Sequence, residues 1–122
     1  MKDDKFYTAL SDLIGSLQAY PVIAQKNAVA PFVVYQRVTT QRDRTQNGDS
    51  GRGEITYRID IYHSHIGSAQ ELADTIASGL SSYSDDAIRY IYIENEEDAS
   101  DLSGDPALYR WIMEARVIYN AI

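Results

Sequence analysis

At 122 residues the chain fits one domain, long enough to bury roughly two thirds of its unfolded surface in a single core. It has no cysteine, which excludes disulfides and thiolate metal sites. Its net charge of −7, from 18 acidic and 11 basic residues, argues against tight, sequence-independent binding to a phosphate backbone. The opening Met1-Lys2-Asp3-Asp4-Lys5 runs into mixed polar and apolar residues, with no apolar run fit for a signal peptide or a membrane span. The expectation is a protein that is soluble where it is made, in the cytoplasm of its host, with no membrane partner.

From Asp4 to Ala19, residues Phe6, Leu10, Leu13, Ile14 and Leu17 recur at helical spacing and predict a first amphipathic helix. Pro21 is expected to end it, since proline lacks the amide donor and pushes the preceding residue out of helical geometry. Pro31 then opens Phe32-Val33-Val34-Tyr35-Gln36-Arg37-Val38, aromatic and β-branched, which predicts a strand. Residues 41–53 read as a polar loop, too long for a tight hairpin despite the turn-forming Asn47-Gly48, and loops of that length are usually functional or disordered. The expectation is a mobile loop. Glu54 to His63 alternates almost without error, so Ile55, Tyr57, Ile59 and Ile61 are predicted to face a core while Thr56, Arg58, Asp60 and Tyr62 face away.

Ser68-Ala69-Gln70-Glu71 has the form of a capping box and predicts a helix start there, with Leu72, Ile76 and Leu80 on its apolar face and the small Ala69, Ala73 and Ala77 beside them. That helix is expected to end near Tyr83. Ile88 to Glu94 predicts a third strand, and Ala107 to Tyr119 a long fourth with Tyr109, Trp111, Met113, Ala115, Val117 and Tyr119 on one face. The order α-β-β-α-β-β predicts an α+β two-layer sandwich: a four-stranded, mostly antiparallel sheet with two helices on one face. The other face is left uncovered, and exposed aromatics such as Tyr62 are anchors that protein interfaces favour.

Candidate chemistry is thin. Gly48-Asp49-Ser50-Gly51 resembles the nucleophile segment of trypsin-like serine proteases, but the next residue is Arg52 rather than glycine, both histidines lie downstream, and the chain is too short for a double barrel. No Gly-Lys-Ser/Thr follows these glycines, so they are not a phosphate loop. His63 and His65 would share one side only if the strand reached residue 65, and a third ligand is lacking. Asp98, Asp101 and Asp105 lack the spacing of a calcium loop. No catalytic residue, cofactor or metal is expected.

The charges are unevenly placed, with Arg37, Arg42, Arg44, Arg52 and Arg58 in one stretch and Glu94, Glu96, Glu97, Asp98, Asp101 and Asp105 in another. Complementary patches steer association, so Arg37, Arg42, Arg44, Arg52, Arg58, Tyr62, Glu96, Glu97 and Asp98 are candidate contacts to another subunit or a partner.

Pro31-Phe32-Val33-Val34-Tyr35, Tyr57-Arg58-Ile59-Asp60-Ile61-Tyr62, Leu108-Tyr109-Arg110 and Arg116-Val117-Ile118-Tyr119, in this order, resemble the tail-completion or tail-terminator proteins of long-tailed phages, prophages and gene transfer agents. The likeness runs over nearly the whole chain. It implies a small domain related to the tail terminator of phage lambda. It also implies a virion protein at the head-proximal end of the tail, copies of which form a hexameric ring. Such a ring caps the tail tube, stops its polymerisation, offers a surface to the head-completion or connector protein, and lets DNA pass through its lumen without reading sequence. The family has no catalytic residues to transfer. The segment 41–53 is expected to order on assembly, with Arg42, Arg44 and Arg52 meeting a neighbour or the tube, or else turned toward the ring lumen where DNA passes. The alternatives are a non-enzymatic tail-assembly adaptor or chaperone working through the exposed sheet face, and a small hydrolase using Gly48 to Gly51 or the two histidines.

Overall fold

In the computed structural model, which describes residues 2–15, 17–21, 30–45, 48–100 and 108–120, α1 (Lys2–Ile14) buries Phe6, Ala9, Leu10 and Ile14 along one stripe. The helix is shorter than the periodicity predicts. Gly15 adopts φ +64°, a left-handed conformation open to glycine and costly for other residues, and the Leu17 amide donates back to the Ile14 carbonyl at 3.3 Å. The chain then straightens into β1 (Gln18–Pro21), which pairs parallel with the start of β2, Ala19 opposite Val33 and Tyr20 opposite Val34. The sheet therefore has five strands and is mixed, where four are predicted. Four residues with a partner more than ten positions away carry no periodic signal of their own.

β2 (Phe32–Thr45) and β3 (Gly48–His63) form the long antiparallel hairpin at the centre of the architecture. The predicted loop over 41–53 is a correction: Gln41 lies opposite Glu54, Arg42 opposite Gly53, Arg44 opposite Asp49 and Thr45 opposite Gly48. The sequence of this stretch carries no apolar alternation to signal a strand. Backbone pairing alone makes it a strand.

α2 (Ile66–Ser81) also starts earlier than its sequence signal. His65 is the N-cap without a side-chain cap bond, Ala69 N–H donates to His65 C=O at 3.0 Å, and Ser68 and Glu71 sit exposed inside the helix rather than boxing its end. The reason lies upstream, where Nδ1 of His63 accepts the His65 amide at 3.1 Å and turns the chain as it leaves β3. The buried stripe of α2 is Ala69, Ala73, Ile76 and Leu80, with Leu72 and Ala77 packed at its margin, as predicted.

β4 (Ile88–Asp98) begins beyond a turn fixed by Asp85, whose carboxylate accepts the amides of Ala87 and Ile88 and the Tyr83 hydroxyl. It runs four residues further than predicted. β5 (Tyr109–Tyr119) inserts between β3 and β4, antiparallel to both, giving the order β1-β2-β3-β5-β4.

Both helices contribute to one core on one sheet face. Ile55, Tyr57, Ile59 and Ile61 of β3 and Met113, Ala115, Val117 and Tyr119 of β5 are all buried there. The Phe6 ring stacks on Tyr57 with centroids 3.9 Å apart and planes 3° from parallel, and the Tyr57 and Tyr119 hydroxyls meet at 3.0 Å. Full burial of a phenylalanine such as Phe6 contributes about 1.5–3 kcal/mol, which ties α1 to the sheet.

Candidate assembly surfaces

Strand alternation sends Glu54, Thr56, Arg58, Asp60 and Tyr62 of β3 to the face away from the helices, and the register aligns them with Arg110, Ile112, Glu114, Arg116 and Ile118 of β5. Among the described residues no helix packs on this face. Its arginines are paired with carboxylates. Asp60, only 8% exposed, is held from two sides, by Arg58 Nε at 2.9 Å and Arg110 Nη2 at 2.6 Å. Burial works against the Arg110 charge, but the bond to Asp60 and its charge outweigh that and raise the guanidinium pKa. Arg110 also lies 5.5 Å over the Tyr62 ring, Tyr62 stacks on Phe32, and Phe32 meets Tyr20 edge-on. One row of aromatics ending in a cation thus spans β1, β2, β3 and β5.

A second cluster forms around Arg116. Its Nη2 lies 2.8 Å from both Glu94 carboxylate oxygens, its Nε 3.3 Å from Glu54 Oε2, and its Nη1 donates to the Tyr92 hydroxyl at 3.1 Å. The Tyr92 bond, then the Glu94 and Glu54 charges, raise the Arg116 pKa against desolvation. Tyr90 and Tyr92, stacked and exposed, complete this end of the face. Charges already held in ion pairs can be covered by a partner at less cost than an orphaned ion, although the buried Arg110 Nε finds no hydrogen-bond acceptor among the described residues.

The structure divides the predicted basic stretch. Arg58 belongs to the Asp60 pair, and Arg37 points to the helix side of the sheet, where it donates to Thr40 at 3.4 Å. Arg42 and Arg52 are exposed where the hairpin leaves the body of the sheet: Arg42 lies opposite Gly53, in the row of the last β3–β5 pair, Gly53 with Tyr119, and Arg52 one residue beyond it. The Arg44 backbone pairs there too, and its side chain lies outside the described residues. Glu96, Glu97 and Asp98 are exposed at the far end of β4: Glu96 accepts from Trp111 Nε1 at 3.1 Å, and Asp98 accepts from the Ser100 hydroxyl and amide, which lower its pKa. Tyr62 is on the open face as predicted, though half-buried. Asp101 and Asp105 lie outside the described residues.

Sequence reasoning missed Arg110, Arg116 and the role of Asp60. Their places on alternate positions of β3 and β5 were legible, but their pairing required knowing that β5 is the neighbour of β3.

The remaining chemistry stays sparse. Gly48 to Gly51 is part of β3, and the two imidazoles, 6.0 Å apart, are separated by the end of that strand. Burial first, and the nearby His65 second, lower the His63 pKa from its ordinary value of 6.5. Among the described residues no three His, Cys, Asp or Glu side chains converge as a metal site. The cleft between Arg52, Glu54, Arg89 and Ile118 holds about 100 Å³, against roughly 300–1,000 Å³ for small-molecule sites.

The fold defines an α+β domain of two helices on a mixed five-stranded sheet, and comparison with known proteins places it further. The profile of the family described as "Tail completion protein gp17" matches residues 7–120, and the chain belongs to that family. It is a structural protein of the virion tail. Among solved structures, a chain of "Virion of native gene transfer agent (GTA) particle" superposes with a TM-score of 0.68 at 10% identity, over 93% of this chain and 90% of that one. At that identity the likeness is one of fold. No curated protein matches.

Proposed function

We propose that identical copies of this protein form a ring on the head-proximal end of the tail tube, which ends tube polymerisation and gives the head-completion or connector protein a surface to join. Family membership supports the tail-end role. The observation that carries the ring is the paired hairpin with exposed Arg42 and Arg52 at its base, where it leaves the body of the sheet, and the acidic residues Glu96, Glu97 and Asp98 at the opposite end of β4. A subunit with unlike patches at its two ends makes heterologous contacts, and such contacts close into a ring when the rotation between copies divides the circle. Six copies is the number the family resemblance implies. DNA passes through the lumen unread, in keeping with the net charge of −7, and the role is non-enzymatic.

Removing the coding sequence from the particle-producing cell is the test. Tails of uncontrolled length that fail to join heads are expected, with rings of the purified protein at the tube end restoring both. Normal tails without the protein would refute the reading. A protein needed for assembly yet absent from finished tails would be an adaptor or chaperone instead.

A further inference from the structure

The ring reading leaves open which surfaces meet, and the strand register bears on it. Arg42, Gly53, Tyr119 and Ile88 lie in one row across the sheet, whereas Val33, Ile61, Trp111 and Asp98 lie in another near its opposite end. The eight steps from Trp111 to Tyr119 along β5 separate these rows by about 27 Å at the usual strand rise. Within one copy the basic hairpin and the acidic end of β4 cannot touch.

The hairpin beyond Gly53 pairs only within itself among the described residues. A two-stranded ribbon is marginal alone in water, so this extension gains stability when a second surface covers it. The acidic end of β4 is an outer edge of the sheet, shielded by exposed carboxylates and by a register shift between Ile93 and Asn95. Such charges and bulges keep edges from pairing indiscriminately, and a basic partner is what relieves that shield. A contact between two acidic ends would set like charges against each other.

We infer that, within the ring just proposed and resting on that reading, the hairpin bearing Arg42 and Arg52 of one copy lies against the Glu96–Glu97–Asp98 end of β4 in the next copy, head to tail. The partner is a second copy of this chain, recognised by charge. The strands then run around the circumference rather than along the ring axis.

Two charge-reversed proteins test this in assembled particles and in solution: Arg42→Glu with Arg52→Glu, and Glu96→Arg with Glu97→Arg, each checked for folding by circular dichroism. Each alone should lose ring formation by at least about tenfold, and mixing the two should restore rings of alternating copies. Head-to-tail order is read separately, because the chain has no native cysteine: Arg52→Cys and Glu97→Cys together should give, on mild oxidation, a covalent ladder longer than a dimer. Reversed proteins that assemble like the native one, or a mixture that stays apart, would overturn the inference while rings of native protein still stood. Cross-linking that stops at dimers would overturn head-to-tail order. Native particles without rings would instead end the ring reading, and this contact with it.

Discussion

Asp60 and Arg110, 50 residues apart in sequence, meet at 2.6 Å on the sheet face opposite the helices, and Arg58 closes on the same carboxylate from the other side. The contact joins β3 to β5. Asp60 is thus the shared counter-charge for two guanidinium groups on neighbouring strands, and its own near-complete burial depends on both.

Asp60→Ala should therefore lower stability by about 2 kcal/mol, the scale of hydrogen bonds to charged groups, because both Arg58 and Arg110 lose the carboxylate they share. Urea denaturation checks the magnitude. A loss no greater than that of an exposed surface substitution would show that the pair does not hold the face together. The isosteric Asp60→Asn should recover only part of the loss, because it keeps an acceptor and removes the charge.

Gly15 ends α1 and turns the chain into β1 from the left-handed region. Open space surrounds its Cα, so a methyl group there meets no neighbour, and any penalty is conformational. Gly15→Ala is expected to cost about 1 kcal/mol, read as a lower thermal midpoint. An unchanged midpoint would place the end of the helix under the control of packing rather than of this residue.

His63 gives the protein a pH dependence above the carboxylate range. Its pKa is lowered in the folded state by burial and by His65, so as pH falls below 6.5 the unfolded chain takes up the proton first. The stability it contributes is fully present above that value and is lost as pH falls through the folded pKa. Protonation also removes the Nδ1 acceptor for the His65 amide at the start of α2. The urea midpoint should fall between about pH 7.5 and about pH 5.5, and His63→Asn, which keeps a nearby acceptor without titrating, should flatten that fall. An equal fall in both proteins would assign the dependence to other groups.

Local chemistry alone specified much of this molecule. The alternation of Ile55, Tyr57, Ile59 and Ile61, the stripe of Ala69, Ala73, Ile76 and Leu80, and the inward set Met113, Ala115, Val117 and Tyr119 were legible because residues two or three to four apart share a face whatever lies beyond them. The order of those strands and helices, and an α+β arrangement with the helices on one side, follow from the same patterns. The resemblance to tail-completion proteins was legible as well, since it lies in the order of strand segments along the chain.

What needed the tertiary structure was every feature set by a distant partner. β1 is a strand because β2 lies beside it, the stretch from Gln41 to Gly53 is paired because its two halves bond each other's backbones, and β5 separates β3 from β4. The same reason governs the charged residues: sequence places Arg58 with Arg42 and Arg52, whereas pairing gives Arg58 to Asp60 and leaves the other two at the base of the hairpin, where it parts from β5. Side-chain periodicity is a property of a segment, but hydrogen-bonded neighbours and ion pairs are properties of the folded whole.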